Sequence, residues 1–372
     1  MSMEQIDLSK YKKDHKFYPE FKLLVTIKSF DLQAIRERYL KNKNKKSNRT
    51  GSVSRRETAI GGIAELTIKE GDIKSLEILT KLPEPRGVDS FENIAAFSSE
   101  NKVHVLYGEK LKTITNRWFS YIHTVDINRK HKNTLLVSSS GFDCIFEYSL
   151  SEKEKTFEWF AWENGFDHGL DPETGEKLFL TRKKEVAEKY QAEGKKHLHI
   201  SDPKNQKLPT AKRAAFINSV VYDPTHEKNI IATFFHEGAV YEINRETGAA
   251  TKVLDGLKNP HGGMKLKENH YTGTSTTGGE IISGTIENQK RYNFKNLEGK
   301  PDFLEEMEWV QNTKVVGKNF IAIDSNRNSF MIINPEKKLI SPVKFNPNWA
   351  IQDLVVSHLN ENQKYIIRNL ED

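Results

Sequence analysis

Residues 217–254, INSVVYDPTHEKNIIATFFHEGAVYEINRETGAATKVL, hold four short strand patterns in a row with turn residues between them. Asp-Pro-Thr-His, His-Glu-Gly and Glu-Thr-Gly break the apolar alternation into segments of five to seven residues, as in an antiparallel four-stranded meander. A sheet this narrow exposes two apolar faces and cannot bury them alone, so the pattern requires copies packed around a ring. Similar copies run over 86–114, 122–160, 261–294 and 308–343. The strand patterns 351–357 and 364–368 then leave a last sheet to be completed from the N-terminal side, where 21–30, 62–69 and 75–80 read as strands. Splicing both chain ends into one sheet closes the ring without a free edge. The expected fold is an all-β, six-bladed propeller with a partly helical insertion, a single domain over 1–372. Residues 1–20 form a polar leader and 41–58 a basic loop.

Aligning the starts of the innermost strands puts Arg86, His123, Asn218, His261, Glu308 and Gln352 in register, at spacings of 37, 95, 43, 47 and 44 residues. Against a repeat of roughly 45 residues, the second gap carries about 50 extra. That insertion, 163–216, is rich in Lys, Glu and Ala over 181–191, which predicts a helix with Thr181 at its start and Gly194 at its stop. It leaves from a fourth strand and returns to a first strand, so it is expected to cap the channel on the face where the six aligned residues lie.

All six aligned positions are polar and should converge on the axis. Two imidazoles, a carboxylate and an amide oxygen suffice for a divalent ion, which predicts a metal site of His123, His261, Glu308 and Asn218, with calcium, zinc, iron or manganese as candidates. The same residues serve acid–base chemistry, with His123, His261, Glu308 and Arg86 as catalytic groups. Arg86 instead favours an anionic ligand. Gln352 and Asn218 complete the ring and are expected to bind substrate. His236, on a turn between second and third strands, and Arg213, His168 and Trp162, in or beside the insertion, are expected to bind substrate. Such a channel also admits a structural reading, in which polar side chains satisfy only one another. His197 and His199 alternate on one side of an extended segment but read first as surface residues, and Trp159 reads as packing between sheets.

The sequence contains 57 basic and 51 acidic residues, for a net charge of +6, with seven positive and no negative charges in 41–56. No aromatic interrupts that run, so nucleic acid is not an expected partner. There is one cysteine, Cys144, and no apolar run of membrane-spanning length, which predicts a cytoplasmic protein. No glycine-rich phosphate loop occurs, so no nucleotide cofactor is expected. The oligomeric state stays open.

The segments 218–224 and 238–244, with Thr247-Gly248 and 257–262, resemble the repeat of six-bladed propellers related to gluconolactonase, strictosidine synthase and the NHL proteins. That resemblance implies a calcium at the axis, held by Glu, Asn and Asp side chains, and lactonase or esterase activity. Glu308 and Asn218 match it, whereas His123 and His261 depart from it. The segments 123–125, 133–137, 145–148 and 157–159 are more weakly similar to the arylsulfotransferase propellers, which would make His123 or His261 a nucleophile and Arg86 the sulfuryl clamp. The resulting expectation is an enzyme acting on a small anionic substrate at the axial channel, by hydrolase, lyase or transferase chemistry. The alternative is a non-catalytic ligand-binding or protein-interaction propeller.

Overall fold

The computed structural model describes residues 2–43, 51–55, 57–152 and 154–370. Each strand-rich repeat forms an antiparallel four-stranded sheet in sequence order. Sheet I comprises Val88–Phe91, Ile94–Ser98, Lys102–Tyr107 and Lys110–Thr115. Sheet II comprises Ile122–Ile127, Thr134–Ser139, Cys144–Ser149 and Lys155–Phe160. Sheet III comprises Ile217–Tyr222, Asn229–Phe234, Ala239–Asn244 and Ala250–Leu254. Sheet IV begins at His261–Lys267 and sheet V at Val310–Val316. Sheet VI joins the C-terminal strand Ala350–Val356 to Phe21–Ser29, Ile60–Lys69 and Asp72–Pro83, so the two chain ends are held together by backbone ladders. The first strands touch in the cycle I, II, III, IV, V, VI and back to I, with apolar cores between neighbouring sheets.

The leader is not a bare polar tail. Ser2–Asp7 pairs in parallel with Asn288–Asn293 at the outer edge of sheet IV, and Lys12–Lys13 with Leu339 and Ile340 at that of sheet V, covering backbone groups that would otherwise be open to another strand. Residues 364–368 are not a strand either. They belong to the helix Glu361–Arg368, started by a capping box in which Asn360 and Gln363 satisfy each other's backbone N–H groups. The helix ties sheet VI to sheet I: Lys364 reaches Glu65 at 3.0 Å, and Gln363 donates to the Asn93 and Gly108 carbonyls.

The second-to-third-strand link of sheet VI, expected as a loop, begins with the helix Leu32–Lys43, whose first turn is capped by Asp31. Of the basic run 41–58, residues 44–50 and 56 lie outside the described residues. Ser52 accepts a backbone hydrogen bond from Ala211 of the insertion. The insertion forms a small sheet, His168–Leu170, Lys177–Thr181 and His197–His199, with the helix Lys184–Ala192. Thr181 ends a strand rather than capping the helix, which starts three residues later. Asp143 anchors the return of the insertion, accepting from Ala214 N at 2.7 Å, Phe216 N at 2.5 Å and Trp162 Nε1 at 3.1 Å.

Close approach of the first strands is visible at Gly87, where an added Cβ would lie 2.8 Å from the Thr124 Cα and carbonyl carbon of sheet II. Backbone cannot yield as a flexible side chain does. Gly87→Ala is therefore expected to destabilise the protein by about 1–3 kcal/mol, read as a lower urea midpoint at unchanged slope.

Candidate functional site

In four consecutive sheets the residue two places before the aligned position has a left-handed backbone: Glu84 (φ 44°), Tyr121 (50°), Phe216 (53°) and Asn259 (51°). Bulky residues adopt this conformation only where packing enforces it. The repeated turn delivers Arg86, His123, Asn218 and His261 to the axis in the same way.

Arg86 Nη1 donates to His123 Nε2 at 3.1 Å and to Gln352 Oε1 at 3.4 Å, while Nη2 contacts Glu84. Because a guanidinium only donates, His123 Nε2 is the acceptor and Nδ1–H must point to the Tyr121 carbonyl, 3.0 Å away. His261 lies with its ring centroid 6.4 Å from that of His123, and its Nδ1 is 2.8 Å from Thr276 Oγ1. Lys28 completes the group, donating to Gln352 Oε1 at 2.9 Å and Gln311 Oε1 at 3.3 Å. Arg86, His123, His261 and Gln352 are all buried. Arg213, near the end of the insertion, stacks its guanidinium 4.6 Å from both the Tyr121 and Phe216 rings, with Arg55 on Tyr121 at 4.2 Å.

The group carries the positive charges of Arg86 and Lys28, with Glu84 paired to Arg86. Burial, then Arg86 and His261, hold His123 well below the usual imidazole value. Burial, then Lys28 and Arg86, bring His261 down to about 3. Burial also lowers Arg86 to about 10 and Arg213 to about 9. Both imidazoles are neutral at pH 7, first because burial disfavours the charged form and then because Arg86 and Lys28 already place positive charge beside them.

Other expected residues fall elsewhere. Glu308 does not join the imidazoles; it is held by Lys300 at 2.7 Å and Arg327 at 3.2 Å. Asn218 donates to the Pro260 carbonyl at 2.8 Å, and among the described residues its buried Oδ1 has no hydrogen-bond partner. His236 Nε2 meets the Thr210 carbonyl at 3.0 Å, fastening the insertion. His168 pairs with Asp167 at 2.8 Å inside the insertion. Trp162 packs on Trp118 and Phe160 while bonding Asp143, so it braces the insertion rather than lining the ring. Trp159 packs against Phe166 and Phe234, as expected.

The donor set does not fit the expected divalent ion. Arg86 occupies the His123 Nε2 lone pair, and two cations hold Glu308. Among the described residues no three His, Cys, Asp or Glu side chains converge as metal ligands. Lys28 was missed because alignment of first-strand starts cannot register a residue at the end of a second strand, and Gln311 because it lies three positions past the aligned Glu308 on the first strand of sheet V.

A depressed histidine pKa stabilises the fold above the unfolded value of 6.5, and that stability is lost as pH falls toward the folded value. The neutral His261 is therefore expected to cost the protein about 2 kcal/mol between pH 7.5 and pH 5. Chemical denaturation of the wild type and of His261→Gln at both pH values checks this: the variant should lose correspondingly less.

No family model matches this chain, and no curated protein matches it in sequence. A chain of the nidogen/laminin complex is similar in structure over 90% of this chain and 97% of its own, at 11% identity and a TM-score of 0.53. A catalytically inactive virginiamycin B lyase from Staphylococcus aureus, solved with quinupristin, aligns over 75% and 78% at 12% identity and a TM-score of 0.42. A streptogramin B lyase aligns over 70% and 83% at 10% identity and a TM-score of 0.42. Among the described residues no helix is long and apolar enough to cross a membrane. The nidogen-complex likeness, together with the cyclic contact of first strands, makes the fold a β-propeller.

Proposed function

We propose that the six sheets are the blades of a six-bladed propeller, and that its axial group of Lys28, Arg86, His123, His261 and Gln352 binds a small anion and acts on it. The observation that carries this reading is geometric: two buried imidazole rings 6.4 Å apart in one group with the Arg86 guanidinium and the Lys28 ammonium. An anion entering this group offsets the part of the histidines' depression that, after burial, comes from neighbouring cations, so binding draws a proton toward them. Coulombic gain is large where water is excluded. Arg86 is the clamp, with a planar fork suited to a carboxylate, sulfate or phosphate. His123, fixed between Arg86 and the Tyr121 carbonyl, orients that clamp. His261 makes no hydrogen bond to a cationic side chain among the described residues, and it is the acid–base residue of hydrolase, lyase or transferase chemistry.

A second reading rests on a specific observation: Arg86, His123 and Gln352 bond one another, and their burial leaves each at most 6% exposed. On that reading the ring is structural and the propeller binds without catalysis.

Calorimetric titration with acetate, sulfate and phosphate tests the proposal alongside turnover of lactones, aryl esters and aryl sulfates. Wild type should bind at least one anion, with a tenfold or greater loss in both Arg86→Gln and Lys28→Gln. His261→Ala should abolish turnover while leaving anion affinity within a few-fold. Anion binding that survives both charge substitutions would overturn the site. Turnover absent in the wild type, with anion binding intact, would favour the non-catalytic reading.

A further inference from the structure

The opposite end of the axis, where the first strands finish, opens into a cavity of about 770 Å³. Its walls include Phe91, Val221, Met264, Val316 and Val355, and Asp89, Asp126 and Lys314 also line it. Apolar walls with a few convergent charged groups are the ordinary make-up of a small-molecule site.

The charges are distinguished by their partners. Asp89 is held by Arg129 through two contacts, 2.6 and 2.7 Å, and accepts from Ile127 N. Lys314 lies 3.4 Å from Asp353, which also accepts from Asn312 at 2.7 Å. Lys265 sits 3.0 Å from Asp223, and the rim residues Lys130 and Glu227 pair with each other. Asp126 differs. Its Oδ2 accepts from Tyr222 N at 2.8 Å, and among the described residues Oδ1 has no hydrogen-bond partner and the carboxylate no salt bridge. Charges facing it come from Asp89 of sheet I, from Arg129 in the link between the first two strands of sheet II and from Lys314 of sheet V, with the Tyr222 hydroxyl nearby. Burial and then Asp89 raise its pKa to about 7. With the other floor charges matched, an ionised Asp126 leaves one negative charge facing the cavity.

We propose that this cavity binds a small organic cation, with a protonated amine on Asp126 Oδ1 and an aliphatic body against the Val and Met walls. A neutral isostere leaves the carboxylate unsolvated, and a carboxylate ligand meets repulsion from it. Both should bind more weakly. The site is independent of the Arg86 group at the other end of the axis.

Butylammonium, with butanol and butyrate as matched probes, tests this by calorimetry on the full chain at pH 8.5 and pH 5.5. Butylammonium should bind at least tenfold more tightly than either control at pH 8.5, and roughly tenfold or more weakly at pH 5.5, where Asp126 takes up a proton while the amine stays charged. Asp126→Asn keeps an acceptor for Tyr222 N and should lose at least tenfold in affinity with its thermal midpoint preserved. If that variant fails to fold, Met264→Trp, which fills the wall without touching the carboxylate, should abolish binding. Failure of wild type to bind butylammonium at millimolar concentration, equal binding of butanol or butyrate, or undiminished binding by a folded Asp126→Asn or Met264→Trp would overturn the proposal.

Discussion

The first strand of every sheet is an edge strand buried at the centre of the molecule. One side of its backbone pairs with the second strand, while the other faces the axis, where unpaired N–H and C=O groups are costly. Neighbouring sheets meet this with side chains. Asp89 of sheet I accepts from Ile127 N of sheet II, Thr124 and Asp126 of sheet II from Val220 N and Tyr222 N of sheet III, and Thr233 of sheet III from Gly263 N of sheet IV. Thr26 of sheet VI donates to the Arg86 carbonyl of sheet I. The short polar residues scattered through these strands are thus the lateral bonding of the ring, and they fix its register as well as its stability.

The same constraint accounts for both ends of the axis. At the starting end, the left-handed residues Glu84, Tyr121, Phe216 and Asn259 turn the chain inward, and their strain is sustained because the side chains that follow are locked to neighbouring sheets. At the finishing end, Asp89 and Asp126 project three positions after Arg86 and His123 and serve first as backbone acceptors. Asp126 spends one oxygen on that structural duty, which is why the other is left to the cavity.

The fold was legible because strand alternation and turn residues are local signals, and the repeats fall at similar spacings once the insertion 163–216 is set aside. Gly87 sits where the backbone of sheet I meets that of sheet II, and Gly263 where an added Cβ would meet the Thr233 and Val240 side chains of sheet III. The candidate site was legible only in part. Arg86, His123, His261 and Gln352 come together because they share one place in the repeat. Glu308 shares it too, but its partners Lys300 and Arg327 come from a loop and a turn whose positions depend on tertiary packing. Lys28 was hidden because the last sheet is built from both chain ends, so its second strand begins the sequence rather than following the first. At the C-terminus the β-branched pair Ile366-Ile367 suggested a strand, while the Asn360–Gln363 capping box, present in the sequence, decided for a helix.

How the Arg86 group is closed off bears on how an anion reaches it. Asp143 binds two backbone N–H groups and one indole with a single buried carboxyl, so Ala214, Phe216 and Trp162 move only together, and Arg213 rides with them. Lifting that anchor breaks three hydrogen bonds and leaves a buried acid uncompensated, a costly opening. The alternative lies to one side, where Glu100 is shared by Arg55 and Lys207. Their side chains are 23% and 31% exposed, against 7% for Arg86. For the anion of the proposed function, Arg55 and Lys207 would be the first cations met, and exchange with Glu100 would let it pass inward without breaking the Asp143 anchor.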